Sequence, residues 1–391
     1  VTGYCPGAQP SRSLMNQWDT FKKRETTNNK FYILHNQINL IRQRMIAMKA
    51  VRVTGYGDVD KLEVVDIPVP EPKADEVLVN VKACAINNTE IWMREGAYGS
   101  GTKSGWRPEG VQFLRIPGSD ITGQVVKVGS SVPQSMVGRD VVLFPFASSG
   151  ESGFEHISED MSFIGSEYDG GYAEYVVWPA ELCFDMPLPG YPESAVFSVS
   201  GLTAWHMVNQ LQVQAGETVV VTGANGGVSS LNVQIASKVF GAKVIAVIGD
   251  LAGEEKLKEL GAAHVVSYHS ECLAEDILNV NGGPVDSVLD VVGDALFDTS
   301  LRVLKKGGKF FISGSAGGQQ TNLDFRTLYL KHITMYGSVL GTRAEFKEML
   351  GAISEGKLVP VIDKTFLLEQ AKEAQVYFKE KGKLGKIVLL P

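Results

Sequence analysis

"VVVTGANGGVSS", residues 219–230, is an apolar, β-branched run that breaks into glycines and then turns small and helix-compatible. A strand opening onto a helix through such a turn presents free backbone N–H groups and the positive end of the helix dipole, which together receive a phosphate. The strict G-x-G-x-x-G spacing, laid on the stretch, falls on Ala224, Gly226 and Ser229. Only the middle slot, where the backbone must come closest to the phosphates, is glycine. Gly223 and Gly227 beside it give the turn its conformational freedom, and Ser229 is small enough to let helix pack near strand.

The surroundings decide what the turn belongs to. From 185 to 335, short apolar runs ("TVVVTG", "KVIAVIG", "HVVSY", "SVLDVVG", "KFFISG") alternate with amphipathic segments such as "EEKLKELGA" and "TSLRVLKKGG". Strands buried on both faces by intervening helices make a doubly wound parallel sheet, here a dinucleotide-binding domain. Residues 48–184 read differently, as short alternating strands cut by Gly and Pro, for example "EVLVNVKACAI" (76–86), "DITGQVVKVG" (120–129) and "DVVLFPF" (140–146). They predict a β-rich domain, with 149–171 a long polar loop. Residues 336–391 return to strand, helix and strand and are expected to rejoin that first domain, which puts the ligand in the cleft between the two.

Bulk properties narrow the function. Among 391 residues the net charge of −7 argues against a nucleic-acid or anionic-membrane partner, and no apolar run is long enough to span a bilayer. Cys5, Cys84, Cys183 and Cys272 are scattered without metal-type spacing, which fits a reduced, cytoplasmic setting. Residues 1–47 carry Arg12, Lys22, Lys23, Arg24, Lys30, Arg42 and Arg44 against only Asp19 and Glu25. Such a basic extension reads as a mitochondrial targeting segment or as an upstream or tag-derived leader, and stands outside the fold argument.

"GSDITGQVVKVGSSV", "GGYAEYVVWP", "GLTAW", "TGANGGV" and "GKIVLLP", in this order between Met48 and Pro391, resemble the medium-chain dehydrogenase/reductase superfamily, and within it the zinc-free quinone-oxidoreductase (zeta-crystallin-like) branch. The resemblance implies an α/β chain with a GroES-like catalytic domain and a Rossmann domain, a nicotinamide cofactor and a homodimer. The superfamily's zinc alcohol dehydrogenases take their catalytic metal from a Cys, a His and a later Cys or Asp. The matching stretches here are "NNTE" (87–90), "GSD" (118–120) and "SVSGLTA" (198–204), where Asn87 replaces the Cys and Ser119 the His. The ligand set for an open tetrahedral zinc is missing, and the loop 149–171 holds none of the structural-zinc cysteines.

Without a Lewis acid a simple alkoxide is hard to stabilise, whereas an already polarised acceptor needs mainly orientation and hydrogen bonds. The sequence therefore predicts an NADPH-dependent oxidoreductase that passes hydride to a quinone or an activated C=C in an enone or enoyl substrate. A metal-free carbonyl or alcohol oxidoreductase is the alternative within enzymes. A non-catalytic, crystallin-like nucleotide-binding protein is the alternative outside them.

By resemblance, Asn87 lies near nicotinamide and ribose as a catalytic residue. Thr89, Trp92 and Tyr98 line the substrate cleft, with Tyr98 the candidate proton donor because Trp92 stands where relatives often carry Tyr. For both aromatic residues, plain cleft walls are the other reading. Thr203, Gly223, Ala224, Asn225, Gly226, Gly227, Val228, Val291, Val292, Gly314 and Ser315 are assigned to the cofactor, as are Ser338, Val339 and Leu340, whose segment holds the carboxamide in relatives. Ile248 falls at the tip of the second strand, where NAD binders place an acid; Asp250, two residues on, speaks for NADH. Tyr268 matches a residue that contacts a 2′-phosphate, with Lys256 or Lys243 as supporting charge, and so favours NADPH. Lys386 matches a terminal basic residue near the cofactor phosphate in some members and otherwise reads as a surface lysine. His206, His264, His269 and Glu174 read as packing, surface or structural residues.

Overall fold

The apolar runs after residue 217 form the strands that their patterning predicts. The computed structural model describes residues 47–97, 111–380 and 382–391. The runs become β1 (Thr218–Thr222), β2 (Lys243–Ile248), β3 (Ala262–Ser267), β4 (Val285–Asp290), β5 (Leu304–Ile312) and β6 (Thr334–Gly337). All pair in parallel, in the order β3-β2-β1-β4-β5-β6. The order reverses between β1 and β4, so a crevice opens beyond their carboxyl ends. Val219, Val220 and Val221 are all buried because helices cover both faces of β1. The parallel sheet runs past the expected boundary at 335: "ITMYG", read as part of the return to the first domain, forms its last strand.

The β-rich part is a seven-stranded sheet. Its path is Ile362–Leu367, Lys386–Leu390, Glu76–Ala85, Asp120–Val128, Asp140–Leu143 and Cys183–Asp185, with Tyr175–Pro179 added along Glu76–Ala85. The strands drawn from 362–390 are what returns to the first domain. Within 149–171, Ser162–Phe163 pairs with Phe146–Ala147 and Glu155–Ile157 forms a 3-10 turn. Both sheets belong to one compact unit, Lys49–Val65 with Pro70–Pro391.

Register fixes which residues meet. Val388 lies opposite Ala85 and Leu389 opposite Cys84 in one antiparallel ladder, and Ala85 lies opposite Asp120 in the other. Continued one step, the second ladder sets Ser119 opposite Ile86, and continued two steps, the first sets Lys386 opposite Asn87, all at the same end of the sheet. Four helices complete the setting: α1 (Asn88–Glu95), α2 (Val199–Gln210), α3 (Gly227–Gln234) and α4 (Arg343–Ser354). Among the described residues no helix is long and apolar enough to cross a membrane.

Candidate active site

The turn after β1 is built as its glycines require. Gly223 has φ 55, a left-handed conformation that costs a side chain, and its carbonyl accepts the Gly226 amide at 2.8 Å. Gly226 caps α3, and the Ser229 hydroxyl donates to the Thr222 carbonyl at 2.7 Å, tying helix to strand. Asp290 secures the neighbouring strand end: it takes the Thr222 hydroxyl, the Gly293 amide at 2.8 Å and the Val292 amide at 3.2 Å. Burial pushes its carboxyl up, and these hydrogen bonds only partly oppose that. A pocket of about 320 Å³ opens between this turn and the end of the seven-stranded sheet.

Opposite the turn lies a buried polar cluster. Lys386, 3% exposed, reaches Asn87 Oδ1 at 2.6 Å and Ser200 Oγ at 2.9 Å, and pairs with Asp120 at 2.8 Å. Asn87 Nδ2 donates to Ser119 Oγ at 3.3 Å, and the Ser119 hydroxyl and amide donate to Glu90 Oε1 at 2.6 and 3.1 Å. The other oxygen of Glu90 reaches back to the Asn87 amide at 2.7 Å, closing the first turn of α1. Burial raises the Glu90 carboxyl, opposed by the Ser119 hydrogen bond and the Lys386 ammonium. Asn87 is thus held from both ends while it faces the pocket.

A further buried network supports the pocket wall at 337–341. His206 of α2 places Nε2 3.1 Å from Ser338 Oγ and Nδ1 3.0 Å from Glu345 Oε2. Glu345 also takes Asn209 Nδ2 at 2.9 Å and, as the reciprocal cap of α4, the Thr342 amide at 2.8 Å. Burial alone pushes the Glu345 carboxyl up, but the hydrogen bonds from His206, Asn209 and Thr342 outweigh it and hold it at about 2. Val339 and Leu340 line the pocket from this wall.

Residues 73–188 match the family model described as alcohol dehydrogenase GroES-like domain, and 227–355 the one described as zinc-binding dehydrogenase. A Sinorhizobium meliloti 1021 structure, solved under the name of an alcohol dehydrogenase, superposes with TM-score 0.84 at 37% identity, covering 88% of this chain and 97% of that one. The chain belongs to the medium-chain dehydrogenase/reductase superfamily. It is 30% identical to the acryloyl-coenzyme A reductase of Sulfurisphaera tokodaii, over 88% of this chain and 100% of that one. To that organism's NAD-dependent alcohol dehydrogenase it is 29% identical, with the same coverage. To the quinone oxidoreductase of Rattus norvegicus it is 28% identical, over 88% and 98%. This medium-chain dehydrogenase/reductase is therefore an oxidoreductase with a nicotinamide cofactor.

The residues present fit that cofactor. Gly223, Asn225, Gly226, Gly227 and Val228 offer the turn, and Val291, Val292 and Gly314 flank it at the strand ends. A Cβ at Gly314 would stand 2.7 Å from the Val291 carbonyl, so the neighbouring loops approach there as only glycine allows. Thr203, Asn87, Thr89 and Trp92 complete the far end. Zinc fits poorly. The ligand-matching places hold the Asn87 amide and the Ser119 hydroxyl, and an ammonium stands at hydrogen-bond distance from the former. Among the described residues no group of three or more His, Cys, Asp and Glu could hold a metal.

Several expectations need correcting. Ile248 is fully buried in β2 and shows nothing to the pocket. Lys256 is exposed, pairs with Glu259 at 2.8 Å and does not line the pocket. Ser315 gives way to Ser313, Gly314 and Ala316 as pocket lining, and the Ser338 hydroxyl is spent on His206. Ala224 is buried, contributing its amide to the Val247 carbonyl at 3.1 Å. Tyr98 lies outside the described residues. Lys386 is no surface lysine, and His206 is neither free packing nor exposed. Tyr268, 40% exposed, sets its hydroxyl over Gly249, where a Cβ would come within 2.5 Å of it. Glu90, Asp120 and Ser200 were not anticipated. Nor was Lys383, whose carbonyl takes Asn225 Nδ2 at 2.9 Å and which lines the pocket beside the turn. The basic run "KGKLGK" (381–386) was the available signal for it.

Proposed function

We propose that this chain is a zinc-independent, NADPH-preferring reductase that passes hydride to a quinone or to the activated C=C of an enone or enoyl substrate. The observation that carries the reading is the Asn87–Lys386–Ser200–Asp120 cluster at the end of the dinucleotide pocket. It supplies hydrogen bonds and a cation where a metal-dependent dehydrogenase needs metal ligands. The cofactor, when bound, supplies the hydride. Gly223–Val228 and the α3 N-terminus receive its pyrophosphate, with Lys383 beside them as counter-charge. Val291, Val292 and Val339 exclude water from the nicotinamide, and Asn87 orients ribose and acceptor. Preorganised donors of this kind stabilise developing enolate charge but leave an unactivated alcohol without a base of metal-lowered pKa. The names of the acryloyl-coenzyme A reductase and quinone oxidoreductase relatives support this substrate class.

The NADPH preference rests on Tyr268, which follows β3 and gives its amide to the Ile248 carbonyl at the end of β2 at 2.8 Å, and on Asp250, whose Oδ1 is occupied by the Ala252 amide at 2.9 Å. Gly382 and Leu384 approach Asp250 and Gly253, bringing the basic 382–386 segment to the same edge. A homodimer is proposed through the edge strand β6 and the exposed Phe325, Tyr329 and Leu330 beside it.

The test is a panel of quinones, enones and enoyl thioesters with NADPH or NADH, against aliphatic alcohols with the oxidised cofactors. Quinone or enone reduction with at least tenfold preference for NADPH, about 1.4 kcal/mol, is expected. Faster alcohol oxidation, or turnover that follows added zinc, overturns the reading.

A further inference from the structure

The pocket wall at 337–341 is held in a conformation that its own residues do not favour. Leu340 sits at φ 58, the left-handed region where a Cβ crowds the following carbonyl, and yet it is buried and lines the pocket. A leucine persists there only where the surroundings over-determine the backbone. Behind the wall, the ionised Glu345 carboxylate can only accept, so His206 carries its proton on Nδ1 and donates it at 3.0 Å. The neutral ring then offers Nε2 as acceptor to the Ser338 hydroxyl at 3.1 Å. His206 is itself confined, edge-on to His156 and Phe311 with ring centroids 4.8 and 6.1 Å away. Gly341 lets the backbone close on the same groups: a Cβ there would stand 2.8 Å from Glu345 Oε2 and 3.0 Å from His206 Cβ.

The strand order decides which half of a dinucleotide meets this wall. The glycine turn follows β1, with β2 and β3 on one side of it and β4, β5 and β6 on the other. With the pyrophosphate at the turn and the adenosine beside Tyr268 and Asp250, the nicotinamide half runs over the ends of β4 and β5 towards β6. The wall after β6 stands about 14 Å from β1, at three strand spacings. Resting on the hydride-transfer reading above, we propose that His206 is a positioning residue for the nicotinamide: braced by Glu345, it pins Ser338 and so keeps Val339 and Leu340 rigid against the ring that gives up the hydride. His206 touches neither cofactor nor substrate and acts through the wall alone. Without the pin, Leu340 relaxes out of the left-handed region and the ring gains room to tilt. The cost then falls on the nicotinamide and not on the adenosine.

The test compares ligands that differ only in the nicotinamide and needs no turnover. NADPH and its truncated form 2′-phospho-ADP-ribose, and in parallel NADH and ADP-ribose, are titrated by calorimetry into the full chain. Ser338→Ala cuts the last link and leaves the His206–Glu345 pair in place. It is expected to weaken both dinucleotides about 5–10-fold while both truncated ligands stay within about twofold of wild type. Ser338→Thr, which keeps the hydroxyl, should bind all four ligands within about twofold of wild type. His206→Phe fills the space without the hydrogen bonds and should show the same selective loss, with a shorter emission lifetime of bound NADPH as its ring moves more freely. Equal weakening of dinucleotide and truncated ligand by Ser338→Ala overturns the proposal, as does no weakening of either. If the selective loss is found in an enzyme that oxidises alcohols and reduces no quinone or enone, the positioning role stands and the proposed reaction fails.

Discussion

At the scale of single residues, the site depends on two glycines for different reasons. Gly223 is needed for its backbone: at φ 55 an added Cβ meets Val292 and Val291 side chains at 3.3 and 3.4 Å. Gly223→Ala is expected to cost about 1–2 kcal/mol of stability from the left-handed conformation, read as a shift of the urea midpoint at unchanged slope. Gly227 is needed for space, because a Cβ there collides with the confined stem of Lys386 rather than with a loose side-chain tip. Gly227→Ala should therefore displace the ammonium and lower kcat for a quinone by about 10–100-fold, with NADPH affinity falling much less. Steady-state kinetics beside a direct cofactor titration checks it; equal losses in both would place the defect in the turn itself. Neither distinction is visible in the letters "GANGG".

At the scale of elements, α2 and α4 are joined through Glu345. Its folded-state value of about 2 lies below the ordinary 4.5, so the ionised carboxylate stabilises the fold at neutral pH. The contribution is fully present above the ordinary value and is lost as pH falls towards 2. Glu345→Gln should melt below the wild type at pH 7, and the gap should close between about pH 4.5 and 2; a pH series of calorimetric melts shows whether it does. Elements were also where the sequence was most legible. The β1 turn and the strand–helix alternation could be read because a strand buried on both faces has an unmistakable composition. The strand "ITMYG" was misplaced because its Thr334, Met335 and Gly337 are exposed at the sheet edge, so it lacks that signature. Apart from its resemblance to a basic residue near the cofactor phosphate, Lys386 reads from the sequence as a surface residue, because a lysine's burial is decided by its partners. Those partners, Asn87, Asp120 and Ser200, lie at separations such as 299 and 186 positions. No local pattern carries such a pairing. His206 was hidden in the same way, its acid standing 139 positions later.

At the scale of the whole molecule, the outer edge of β6, to which no strand pairs among the described residues, has a consequence for assembly. The proposed homodimer would use this edge together with the exposed Phe325, Tyr329 and Leu330. Sedimentation equilibrium of the wild type should give a dimer, and Tyr329→Glu with Leu330→Glu should give a folded monomer that still binds NADPH. A monomeric wild type at micromolar concentration removes the proposal.

The register that sets Lys386 opposite Asn87 also imposes a schedule on biosynthesis. During translation at about 5–20 residues per second, the 299 positions between these two residues take roughly 15–60 s to be made. Over that interval the nascent chain completes its nucleotide turn while the strand Glu76–Ala85 still waits for its partner Lys386–Leu390. A ribosome-bound chain of this protein therefore has its glycine turn well before it has Lys386, which completes the pocket lining opposite.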